Sequence, residues 1–207
     1  MTDRSSLQRL EFARLQCGHM RQNFQQERSK RTNLCALSLR GSPLAEADII
    51  CILSNCFNLT HLDLSHNALL TDKCVLEGAI YLRTLRTLSI QHCSALTNLS
   101  LSHITTHLGS RLEMLYVTVQ NPTDSTTEQI VKKFSESCTT LRYIDVHCES
   151  LLCSGSCAYS LITGCPALHT LVVSAIGVTT YQLSALVRPN LKILCGSAAY
   201  DVLALPI

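Results

Sequence analysis

Two groups of residues in this sequence have types and spacings that could do chemistry. The first is a run of thiols, Cys148, Cys153, Cys157 and Cys165, in the stretch CESLLCSGSCAYSLITGC. Four thiolates can hold a structural zinc ion, but such sites usually pair their ligands two to four residues apart in two separated couples. Here the gaps are four, three and seven residues, so zinc is set aside, and stoichiometric metal in the purified protein would restore it. His103 and His107 stand four apart, as metal-binding histidines on a helix do, but a hydrolytic zinc helix also needs a glutamate after the first histidine, where Ile104 stands. Gly41, Gly78 and Gly109 are isolated, and no G-x-S-x-G elbow is present. No enzyme, cofactor or metal is expected. The second group, Met114, Tyr116, Tyr143, Asp145 and His147, suits recognition rather than catalysis: tyrosine joins a rigid apolar ring to a polar tip and is enriched at binding hot spots.

What must position those residues is a core, and the composition supports one. The chain has 207 residues, 46% of them apolar and 15% charged, with a net charge of +2. That excludes a disordered composition. Seventeen Lys and Arg face fifteen Asp and Glu along the chain, so there is no footprint for nucleic acid. The start, MTDRSSLQRLEF, lacks the apolar centre of a secretory signal, and no apolar run reaches the roughly 18 residues of a membrane span. Twelve cysteines without such a signal point to free thiols in a reducing compartment, cytosol or nucleus.

The pattern L-x-x-L-x-L, or a close variant, starts at Leu7, Leu34, Leu59, Leu85, Leu112, Leu141 and Leu168, with a degenerate copy at Leu191. Successive starts lie 23 to 29 residues apart, so residues 1–207 read as one domain of about eight repeats. A period near 26 falls in the range of leucine-rich repeats, each a strand followed by a helix. The expected fold is therefore an α/β solenoid of right-handed strand–helix units, with a parallel sheet on the concave side and helices on the convex side.

Two further markers keep the same phase. A threonine follows each of four strands, at Thr71, Thr97, Thr123 and Thr179, where its hydroxyl can accept from the first unpaired amides of a helix. Behind these lie helical spacings such as Leu101, Ile104 and Leu108, or Ile130, Val131 and Phe134. This resolves an ambiguity: LRTLSI at 85–90 and LTNLSL at 96–101 carry the same spacing, but the first is the strand and the second straddles a helix start. Asn67 and Cys93 follow their strands at matching places, and each can bond turn carbonyls inside the stack. Ser42, Gln120 and Ile176 stand at that place in other repeats, and Cys56, Cys138 and Cys165 precede the next strand.

Together, L-x-x-L-x-L-x-x-[NC], then [LV]-T-[DN], an apolar helix and C-x-x-L resemble the cysteine-containing repeats of F-box/leucine-rich-repeat proteins. The resemblance covers nearly the whole chain, with the cysteine positions partly filled. It implies a curved solenoid that presents a protein substrate to a Skp–Cullin–F-box ubiquitin ligase. No F-box is visible, since residues 1–33 already read as a repeat, so a Skp-type adaptor is a partner only if a longer parent carries one. The chain opens mid-pattern at Leu7 without a polar cap, so a fragment or isoform of a longer protein is expected ahead of a free-standing repeat protein. The alternatives are a free-standing scaffold or inhibitor unconnected to ubiquitin, and a redox protein using the thiols of 148–165.

Strand alternation then assigns the partner surface: leucines inward, the residues between them on the concave face. Those positions run His61, Asp63, Ser65; Thr87, Ser89, Gln91; Met114, Tyr116, Thr118; Tyr143, Asp145, His147; and, in the last copy, Ile193 and Cys195. The expected contact residues for a protein substrate are Met114, Tyr116, Tyr143, Asp145, His147, Gln91, Asp63 and His61, with the two tyrosines exposed on adjacent strands.

Overall fold

The computed structural model describes residues 9–11, 34–119, 124–148, 155–173 and 189–195. Eight strands run through it: β1 (Arg9–Glu11), β2 (Ala36–Ser38), β3 (His61–Asp63), β4 (Thr87–Ile90), β5 (Met114–Val119), β6 (Tyr143–Cys148), β7 (Thr170–Val173) and β8 (Lys192–Cys195). Among the described residues five helices lie between them: α1 (Glu46–Ser54), α2 (Asp72–Ala79), α3 (Asn98–His107), α4 (Asp124–Ser137) and α5 (Gly155–Gly164). The strands form one sheet in chain order, every neighbouring pair parallel. Parallel neighbours need a crossover, and between β2 and β7 the helices supply it. The fold is a leucine-rich-repeat solenoid.

Strands β1 to β7 each begin two residues after the first leucine of their block, from Leu7 before Arg9 to Leu168 before Thr170. The register then lines up Leu37, Leu62, Leu88, Leu115, Ile144 and Leu171 in one row. All six are buried, as are the leading leucines Leu34, Leu59, Leu85, Leu112, Leu141 and Leu168. From the other side the core receives Ile49, Ile52 and Leu53 of α1, Cys74 and Val75 of α2, Leu101 and Ile104 of α3, Ile130, Val131 and Phe134 of α4, and Leu161 and Ile162 of α5. Burying a leucine or isoleucine side chain stabilises by about 1.5–3 kcal/mol, and this shared core is what holds units too small to fold alone. Neighbouring strands sit ~4.8 Å apart whereas packed helices need ~8–10 Å, so the helical layer is the longer one and the sheet takes the inner side of the curve.

The strand–helix assignment of the duplicated pattern follows expectation. Residues 87–90 are strand, and 96–101 spans the start of α3, with Thr97 as its cap. Thr97 Oγ1 accepts from the Leu99 amide at 3.2 Å, and Thr71 Oγ1 from the Cys74 amide at 3.4 Å. The cap of α3 is reinforced by the preceding helix: both Asp72 carboxylate oxygens are used, Oδ1 accepting from the Thr97 and Ser100 amides and Oδ2 from the Thr97 hydroxyl at 2.6 Å. Thr71 in turn donates to Glu46 of α1. Thr123 and Thr179 lie outside the described residues.

Asn67 and Cys93 form the internal ladder expected of them. Asn67 Nδ2 donates to the carbonyls of Leu39, one repeat back, and of Leu64 at 2.9 and 2.8 Å, and Cys93 Sγ donates to Leu64 O at 3.2 Å. These bonds give buried turn carbonyls side-chain donors inside the stack. Cys56, Cys138 and Cys165 are fully buried. Burial pushes the thiols of Cys74 and Cys93 up to about 11 and that of Cys138 up to about 12, which keeps them protonated and inert at neutral pH.

The last strand departs from the expectation. Its register pairs Thr170 with Lys192 and Leu171 with Ile193, which puts Lys192 and Leu194 in the concave rows in place of Ile193 and Cys195. The block LKIL has apolar residues at 191 and 193, two apart. Strand alternation places both on the core side, where Leu191 is buried and Ile193 packs against the core, so the two-residue period prevails over the L-x-x-L spacing.

Candidate protein-binding face

The sheet register builds the concave face in three rows. One carries Ala36, His61, Thr87, Met114, Tyr143 and Thr170; the next carries Ser38, Asp63, Ser89, Tyr116, Asp145 and Val172; Thr118 and His147 pair in the third. Alternation therefore sends the residues expected for a contact surface to one side of the sheet. They do not all reach solvent. Tyr116 is 2% exposed, Asp145 1%, Gln91 3% and Asp63 6%, while Met114, Tyr143, His147 and His61 are half-buried. The expectation of two exposed tyrosines is thus corrected: Tyr143 borders solvent and Tyr116 lies beneath.

The physical reason is in the contacts. The rings of Tyr116 and Tyr143 pack with centroids 4.9 Å apart, and Gln91 reaches across β5 to donate from Nε2 to Asp145 Oδ2 at 3.1 Å. The second carboxylate oxygen, Oδ1, is buried without a hydrogen-bond partner. Burial raises the Asp145 carboxyl to about 6, against a smaller lowering by the Gln91 bond. Burial likewise raises both phenols, Tyr143 to about 12 and Tyr116 further, with the charge of Asp145 adding to each, so both tyrosines are neutral hydrogen-bonding groups at any physiological pH.

Met114, Tyr116, Tyr143, Asp145 and Gln91 therefore form one cluster over β4 to β6, with His147 at its edge. His61 and Asp63 do not join it. They sit on β3 and are engaged locally: His61 Nδ1 bonds the Thr60 hydroxyl at 2.8 Å, and Asp63 accepts from the Ser65 amide at 2.9 Å and the Ser38 hydroxyl at 3.3 Å.

Residues not singled out from the sequence line the rim where the strands end. His66 and His92 occupy the same place in successive repeats as Gly41, and all three have left-handed backbone, with φ of 60°, 53° and 61°. The His66 and His92 rings stand 4.7 Å apart, and His92 and His147 5.3 Å apart. Arg40 Nη2 donates to His66 Nε2 at 2.9 Å. The signal in the sequence was a histidine directly before each ladder residue, His66-Asn67 and His92-Cys93.

Of the thiol run, Cys165 lies in the core, and the side chains of Cys148, Cys153 and Cys157 are outside the described residues. Among the described residues no group of three or more His, Cys, Asp or Glu is arranged to hold a metal ion, and no helix is long and apolar enough to cross a membrane. His103 and His107 stack on α3 with centroids 6.5 Å apart.

Among solved structures, the chain resembles one from the crystal structure of the yeast Rad7–Elc1 complex, with a TM-score of 0.53 and 17% identity over 91% of this chain. The match is to Rad7, and it spans 56% of that longer chain. At that identity the likeness establishes the fold alone. No protein-family model matches the sequence, and no curated protein matches it.

Proposed function

We propose that this chain is a protein-recognition module, with its partner seated on the concave face around Met114 and Tyr143. The observation that carries this reading is the cluster on β5 and β6, where a half-buried tyrosine and methionine lie in register above a buried tyrosine and an incompletely bonded carboxylate. Aromatic side chains set on a rigid sheet lose little entropy on binding, and a buried acceptor without a partner can be satisfied by a donor from outside. The Rad7-like fold, found in that case in a complex with a second protein, is in keeping with it.

The finer reading is that of the F-box/leucine-rich-repeat resemblance. The module recruits a substrate to a Skp–Cullin–F-box ubiquitin ligase, with a Skp-type adaptor bound through an F-box in a longer parent. Without that F-box the same face serves a scaffold or inhibitor independent of ubiquitin. Proximity labelling in cells tests the face: Met114→Ala with Tyr143→Ala should remove at least one partner that the unmodified chain labels, and an unchanged partner set refutes it. Co-purification of a Skp-type adaptor with the longest product of the gene separates ligase receptor from scaffold.

A further inference from the structure

Asp145 lies mid-sheet, in register between Tyr116 on β5 and Val172 on β7. Its two carboxylate oxygens are treated differently. Oδ2 accepts from Gln91 Nε2 at 3.1 Å, whereas Oδ1 is buried and accepts from nothing. Tyr143 and His147 stand two residues to either side of it on β6. Burial and the Gln91 bond govern its protonation, and no lysine or arginine of the described residues acts on it.

The carboxyl is raised to about 6, so at about pH 7.5 it is largely ionised. A buried negative charge is costly unless a cation faces it. A neutral donor from outside would bond Oδ1 but leave that charge unpaired. Beside the carboxylate, the rings of Tyr116 and Tyr143 pack with centroids 4.9 Å apart, and both phenols are neutral. The face of such a ring attracts a cation as well. Carboxylate and rings together therefore call for a positive side chain.

Between the two candidates, arginine fits better than lysine. A guanidinium is more weakly hydrated than an ammonium, and its plane can lie flat on a ring while one N–H donates sideways. One donated bond is what the site has room for, because Oδ2 is already engaged. We propose that a protein partner inserts an arginine side chain beside Tyr143, its guanidinium donating to Asp145 Oδ1 and resting against the tyrosine ring. Asp145 itself is 1% exposed, so the way in passes Tyr143, which is half-buried with Met114 next to it in register. A turn of that ring opens the path, and side-chain rotations of this kind are common when proteins bind.

This inference rests on the concave-face reading and names the chemistry of the partner. The probes are n-butylguanidinium, its neutral isostere n-butylurea, and n-butylammonium, each titrated into the full chain at about pH 7.5 and followed by nuclear magnetic resonance. The guanidinium should shift the Asp145 carboxyl resonance saturably and bind at least about tenfold tighter than the urea. The ammonium should bind less tightly than the guanidinium. Asp145→Asn, whose backbone amide spectrum should show the fold intact, should reduce guanidinium affinity to that of the urea. Tyr143→Phe keeps the ring and should retain binding, and Tyr143→Leu should weaken it several-fold. Absence of guanidinium binding, which leaves solvent to complete Oδ1, overturns the proposal. So does equal binding of guanidinium and urea, tighter binding of the ammonium, or affinity unchanged in Asp145→Asn. If Met114→Ala with Tyr143→Ala removes partners while the guanidinium fails to bind, the concave face stands without the arginine. If the partner set is unchanged, the face itself falls.

Discussion

Strands β3 and β4 and strands β5 and β6 share one sheet and one register, yet their concave rows are put to different uses. On β3 and β4 the polar groups are matched to one another. The hydroxyls of Ser65 and Ser89 bond at 2.6 Å, the Gln91 amide donates to Ser65 Oγ at 3.2 Å, and Asp63 caps its own turn. On β5 and β6 two tyrosine rings cover a carboxylate with one oxygen unbonded. The same backbone frame thus carries one stretch whose concave serines bond one another and one whose concave carboxylate keeps an oxygen unbonded. Incomplete bonding in a buried position costs stability, so a fold keeps it where something else completes it.

Three stability measurements would break or sharpen that contrast. The largest effect is expected at Asn67, which joins two repeats through two carbonyls. Asn67→Ala should lower unfolding free energy by about 2–4 kcal/mol in urea titrations, and Asn67→Cys by clearly less, since Cys93 fills the same role one repeat on. The next concerns Asp145. Its carboxyl is raised from 3.8 to about 6, so the stability it contributes is complete below the lower value and is lost as pH rises through about 6. Asp145→Asn should therefore stabilise the protein by about 1 kcal/mol at pH 8 and by progressively less toward pH 4. If the variant is less stable than the parent at pH 8, the carboxylate is bonded in a way that contradicts its buried, unpartnered oxygen. The smallest is Ser89→Ala, which removes one hydroxyl from a matched pair and should cost about 0.5–1 kcal/mol at any pH.

How much of this was legible beforehand differs by feature. The core was, because L-x-x-L-x-L places a leucine at fixed offsets from each strand start, and strands β1 to β7 obey the same two-residue offset. Which residues face the concave side was also legible, since alternation depends on local backbone geometry. Their exposure was not. Tyr116 is buried through Tyr143 on the next strand, and Asp145 is reached by Gln91 from two strands away, neither of which spacing within a repeat reveals. The final strand defeated the pattern because LKIL satisfies two periods at once and the sheet accepts one. The rim histidines lie just past the strand ends, where the repeat signature stops and a left-handed turn begins.

The carboxylate of Asp72 has a consequence beyond the helix it belongs to. Because it closes the first turn of α3, and Thr71 leans in the same manner on Glu46 of α1, the start of each of these helices is finished by the unit before it. Melting of any one of these helices should then cost its neighbours part of their own stability. A destabilising lesion in α2 would therefore loosen α1 and α3 on either side of it, since coupling between neighbours acts equally in both directions.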